Sequence, residues 1–111
     1  MTAIARIILN EGDRVTPPRI RLLESDGSGK DVSTWTFTFT MKLLGSATAK
    51  VNAQECQLTN AGTDGRVHYA WGETDLDIPG TYVGWFTGSV GGISVSYPQG
   101  GSFIIEVRNL P

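Results

Sequence analysis

The sequence predicts an all-β domain, an antiparallel β-sandwich of seven to eight short strands, and three observations predict it. Glycine is plentiful (Gly 14 against Pro 5), and Thr, Val and Ile are frequent, the mixture of short strands joined by tight turns. The stretch Thr34–Leu43 alternates strictly, with Trp35, Phe37, Phe39, Met41 and Leu43 on one face and Thr36, Thr38, Thr40 and Lys42 on the other. Turn signals then recur at regular intervals along the rest of the chain. With 111 residues, the chain predicts one domain over residues 1–111, able to bury roughly 65% of its unfolded surface.

In chain order, Ile4–Leu9 reads as the first strand and is apolar on both faces: Ile4, Arg6 and Ile8 on one, Ala5, Ile7 and Leu9 on the other. Pro17-Pro18 interrupts pairing ahead of Arg19–Leu23, whose Ile20 and Leu22 point inward. Ser25–Lys30 is a turn, followed by the long strand and a break at Gly45-Ser46-Ala47. Between Lys50 and Leu58 the alternation is weak, so a strand is expected only over Glu55–Leu58. Asn60–Gly65 is a hairpin-type connection into Arg66–Trp71, where Val67, Tyr69 and Trp71 form a buried row. After an acidic corner, Pro79-Gly80 turns the chain into Thr81–Phe86. Gly80 and Tyr82 have the pattern of a tyrosine corner, with the ring packed inward and the hydroxyl bonded to upstream backbone. Ile93–Tyr97 and Ser102–Val107 complete the set, with Phe103, Ile105 and Val107 as the last core row.

Composition restricts the chemistry. A net charge of −2 with Lys and Arg scattered along the chain argues against nucleic acid as a partner. No stretch is long and apolar enough to suggest a membrane span, and the N-terminus does not read as a signal peptide. Cys56 is the single cysteine, which excludes an internal disulfide and points to a reducing cytoplasm. Cys56 is expected as a small core residue rather than a nucleophile.

Asp26–Lys30 resembles the end of a phosphate-binding loop but fails its pattern, with Glu24 where the first glycine belongs and Asp31 where Ser or Thr belongs. His68 is the single histidine, so neither a His-rich metal site nor a His-dependent triad has a second candidate. Ser94 and Ser96 lack a nucleophile elbow. Glu73, Asp75 and Asp77 could converge on calcium, but without a complete ligand loop they are expected to bond turn N–H groups instead. The expectation is no enzyme, no cofactor and no metal.

One surface feature invites a partner. If Tyr82, Gly84 and Phe86 point inward, Val83 and Trp85 point outward, and Ile104 does so from the last strand. These three and Ile7 of the first strand are the expected partner-binding residues; the competing expectation is that Trp85 is covered by its own chain.

The residues also carry a resemblance. Asn10–Leu22, with its Gly-Asp and Pro-rich turn, then Asp26-Gly27, the aromatic strand to Met41, Gly65–Trp71, Thr74–Tyr82 and Tyr97–Val107 together resemble phage immunoglobulin-like domains similar to the N-terminal domain of baseplate upper proteins. The resemblance implies an immunoglobulin-like sandwich in a structural virion protein of the tail, baseplate or head-to-tail region. Such a protein docks onto other virion proteins, in homo-oligomers or repeated copies, and is made in the bacterial host cytoplasm. Members often carry long C-terminal extensions, whereas this sequence ends at Pro111, which favours an adaptor, decoration or small baseplate subunit. The alternative is a carbohydrate-binding module for host-surface attachment, with Trp85 as its platform because Trp35 and Trp71 fall on buried parities.

Overall fold

The computed structural model describes residues 2–97 and 101–109. These form nine strands and no α-helix: β1 (Thr2–Asn10), β2 (Arg19–Arg21), β3 (Thr36–Leu43), β4 (Ala49–Glu55), β5 (Gln57–Leu58), β6 (Arg66–His68), β7 (Gly80–Val90), β8 (Ile93–Tyr97) and β9 (Gly101–Arg108). The larger sheet runs β1-β9-β7-β3-β4, and the smaller runs β2-β6-β5. β3 takes one edge of β7 over residues 82–89, while β9 and β8 share the other, β9 against residues 80–84 and β8 against residues 86–90.

Two features depart from a purely antiparallel sandwich of seven to eight strands. β1 pairs with β9 in parallel, so the large sheet is mixed. A parallel pair needs a long connection between its strands; β1 and β9 lie near the two ends of the chain, and the intervening strands supply it. The strand count rises to nine because the segment with weak alternation contains two strands. β4 pairs with β3 from Ala49 to Glu55, and β5 joins the other sheet. Ala53 takes a left-handed backbone (φ 48°) and the β3–β4 register shifts on either side of Met41. An irregularity of this kind reverses side-chain parity, so Val51 and Cys56 are both buried although they lie five positions apart, on opposite parities. The Cys56 N–H donates to the Phe37 carbonyl at 2.9 Å where the chain passes between sheets.

Elsewhere the alternation reads through. Phe37, Phe39 and Met41 are buried and their threonine neighbours are not, with Trp35 half-buried and Leu43 exposed at the two ends of that row. Phe39 is the hub: its ring lies 5.0 Å from Tyr69, 5.0 Å from Phe86 and 5.8 Å, edge-on, from Trp71. β6 stops at His68, short of the Arg66–Trp71 expected, because its partner β2 begins only after Pro18. The Tyr69 N–H instead donates to the Pro18 carbonyl at 3.0 Å, and Tyr69 and Trp71 stay buried beyond the ladder.

The Gly80–Tyr82 corner forms as the sequence suggests. The Tyr82 ring is buried and its hydroxyl donates to the Ile78 carbonyl at 2.7 Å. At Gly65 only glycine fits, with φ of 82° and room for a Cβ closed by the Leu22 carbonyl oxygen at 2.2 Å.

Candidate docking surface

Register places the expected contact residues on the outer face of the large sheet, with two corrections. Arg6, Ile104, Val83 and Lys42 lie side by side across four strands, and Trp85 sits one step along β7, opposite Thr40. Trp85 and Ile104 are half-buried. Val83 is buried, at 8% exposure, although it faces outward. β7 is a central strand, so Val83 is walled in by Ile104 on one side, Lys42 on the other and Trp85 along its own strand.

Ile7 is the second correction. It pairs with Ile105 and packs against the core, because Ile7 and Leu9 share the inward parity of Ile105 and Val107. The outward residue is Ile8, 50% exposed. The sequence separates the two parities of β1, but with both apolar only the register against β9 decides which faces the core.

Ile104, Val83 and Trp85 thus form an apolar strip bordered by charge, and the Arg6–Glu106 pair crosses between it and Ile8. Glu106 accepts from Arg108 Nε at 2.7 Å and pairs with Arg6 at 3.5 Å, and Lys42 closes the opposite side. An apolar centre with a polar border is the layout of a protein contact. Exposed ion pairs there contribute under about 1 kcal/mol each.

A second surface feature is invisible to a linear reading of the charges. On the outer face of the small sheet, Arg21 lies directly opposite Arg66 and Arg19 opposite His68. Arg66 pairs with the Asp64 carboxylate at 3.1 Å, while Arg21 Nε donates to the Asp64 carbonyl at 3.2 Å. Basic residues far apart in sequence are gathered here by the β2–β6 pairing. His68 Nδ1 lies 2.7 Å from Thr59 Oγ1.

The remaining polar candidates have structural occupations. One Asp75 carboxylate oxygen accepts from the Tyr69 hydroxyl and from the Gly72 N–H, each at 2.6 Å, which ties the acidic corner to the aromatic core. Burial first, then the bond to Asp75, pushes the Tyr69 phenol above its ordinary value. Asp77 pairs with Lys50 at 2.5 Å, and Glu73 is exposed. Cys56 is buried; burial, helped by neighbouring Glu55, pushes its thiol up to about 12, so it carries no thiolate at neutral pH. Asp26 accepts from Ser28 Oγ at 2.6 Å and from the Ser28 N–H at 3.0 Å, closing the loop that resembles a phosphate cradle as a surface turn. Among the described residues, no three His, Cys, Asp or Glu side chains cluster as metal ligands would, and no helix is long and apolar enough to cross a membrane.

The tryptophans divide clearly. Trp71 is buried and donates Nε1–H to the Thr16 carbonyl at 2.7 Å. Trp35 is stacked on Phe37 at 5.8 Å, with Lys30 Nζ 5.9 Å from its ring centre. Trp85 remains on the open sheet face.

Fold and surface together define an all-β, two-sheet domain whose exposed chemistry suits contact. No protein-family model matches the chain, and a search of curated proteins finds no match. Among solved structures, the chain is similar to the N-terminal domain of phage TP901-1 ORF48, at 18% identity and a TM-score of 0.57, covering 94% of this chain and 85% of that one. At that identity the likeness is one of fold.

Proposed function

We propose that this chain is a non-enzymatic structural subunit of a phage virion, acting by docking onto other virion proteins in the tail, baseplate or head-to-tail and decoration region. The observation that carries the reading is the fold shared with a phage protein domain over 94% of the chain. An immunoglobulin-like sandwich is part of the proposal. It is supported by the order β9-β7-β3-β4 set against β2-β6-β5, the arrangement of strands G, F, C and C′ against B, E and D, and by the tyrosine corner at the start of β7. Synthesis in the host cytoplasm is in keeping with a lone buried cysteine. Other virion proteins, or repeated copies of this chain, would meet the strip around Trp85.

Mass spectrometry of purified virions tests this reading. The chain is expected at a fixed copy number, which separates capsid decoration from a tail position; its absence would end the structural reading. Trp85→Ala should cut incorporation into virions at least about tenfold, the scale of a tryptophan hot spot, with little change in the melting temperature of the free chain. A large fall in monomer stability would instead make Trp85 part of the core.

The position of Trp85 also favours a second reading, a carbohydrate-binding module for host attachment, since its ring is the one left on an open face. A glycan array showing binding that Trp85→Ala abolishes would promote that reading, and a blank array would remove it.

A further inference from the structure

Among the described residues, β8 presents a sheet edge with none of the usual protection. Among the described residues it pairs only with β7. The other edges are short, charged or irregular. β2 has three residues, two of them arginine, and β5 has two residues. β4 carries the left-handed Ala53, and β1 carries Arg6. β8, Ile93-Ser94-Val95-Ser96-Tyr97, has no charge, no proline and high β-propensity, and Ile93 is 66% exposed. Uncovered strands of this kind invite another strand.

The turn fixes which backbone groups are free. Gly91 and Gly92 have φ of 57° and 82°, the paired positive values of a two-residue type I′ hairpin loop between Val90 and Ile93. In such a hairpin the residues flanking the loop exchange both hydrogen bonds, and bonded pairs then alternate with non-bonded ones. Ile93, Val95 and Tyr97 therefore direct their backbone groups at β7, whereas Ser94 and Ser96 direct theirs outward. The strand is also chemically symmetric about Val95: a serine on either side, then a large apolar residue.

We propose that β8 is the edge through which two copies of this chain pair, antiparallel about a two-fold axis at Val95, joining their large sheets into one. Each Ser94 then meets the other copy's Ser96 as a bonded pair, and the two Val95 residues meet as a close non-bonded pair. Ile93 lies against Tyr97 of the other copy on the same sheet face. A two-fold contact of this kind is closed, so it yields dimers rather than fibres. The proposal deepens the docking reading by naming the strand that joins like copies. It concerns the isolated chain, so its failure and a failure to find the protein in virions are separate results.

Sedimentation velocity on the full chain, from micromolar to near-millimolar concentration, gives the test. The wild type is expected to dimerise reversibly. Ser96→Pro removes an outward N–H while sparing the β7 ladder, so it should weaken the dimer by at least about tenfold with the monomer still folded. Val95→Cys provides an independent readout. Its two copies would sit about 4.5 Å apart between Cα atoms, within disulfide range, and should cross-link on mild oxidation. Buried Cys56 should not compete. A wild type monomeric throughout, a dimer unaffected by Ser96→Pro, or Val95→Cys that stays uncross-linked would overturn the proposal.

Discussion

Replacing Phe39 with alanine is expected to remove about 3–5 kcal/mol of stability, the largest loss of any single side-chain truncation considered for this chain. Phe39 has no exposed surface, and its ring meets Tyr69, Trp71 and Phe86 at centroid distances of 5.0–5.8 Å. It also joins layers, because Phe39 belongs to the large sheet while Tyr69 and Trp71 follow β6 of the small one. The truncation leaves a void between the sheets that aromatic rings fixed by their own bonds fill poorly. The Trp71 Nε1–H is held by Thr16 and the Tyr69 hydroxyl by Asp75. Domains of this size are stable by only about 5–15 kcal/mol, so the variant should be marginal. Urea unfolding followed by tryptophan fluorescence checks this, with a lower midpoint at similar slope. The control is Thr38→Ala, one residue away on the outer face, expected to change stability by no more than about 0.5 kcal/mol. Equal losses in the two variants would contradict the placement of Phe39 at the centre of the core.

The inward position of Phe39 is legible in the sequence, whereas that of several other residues is not. Strict alternation placed Phe37, Phe39 and Met41 inward without a structure, because period-two patterning and one buried face are the same fact in a strand. Tyr82 was legible because its corner is local: glycine, ring and accepting carbonyl lie within five residues. Ile7 failed for the opposite reason. β1 is apolar on both parities, and its inner face is chosen by a parallel register against a strand at the other end of the chain. β4 failed because Ala53 puts an irregularity into the ladder, and a shifted parity looks like no parity at all. The candidate surface divides along the same line. The parity of Trp85 and Ile104 was readable, but the burial of Val83 depends on neighbours from two other strands. The gathering of Arg19, Arg21 and Arg66 likewise needs the β2–β6 pairing.

The second large effect is a loss of stability in alkali. The Cys56 thiol, ordinarily at 9.0, is held up to about 12 by burial and then by the nearby Glu55. Burial likewise raises the Tyr69 and Tyr82 phenols above 10.0, with the bond to Asp75 adding to it for Tyr69. Each group is neutral when protonated, and each is released more easily by the unfolded chain. The unfolded state therefore holds fewer protons once pH passes 9.0, and stability falls as pH rises. Below pH 9.0 both states are protonated and the contribution is intact. Between pH 9.0 and 10.0 Cys56 acts first among the three, with a slope approaching about 1.4 kcal/mol per pH unit. Above pH 10.0 the two phenols join it and the slope steepens. Melting temperatures across this range are expected to decline slowly and then more steeply. Cys56→Ala should delay the onset to near pH 10.0, and Tyr69→Phe should flatten the later decline. A melting temperature unchanged well above pH 10.0 would mean that these groups ionise in the folded state as easily as in the unfolded one. That result is incompatible with a buried thiol and two phenols held in partly buried hydrogen bonds.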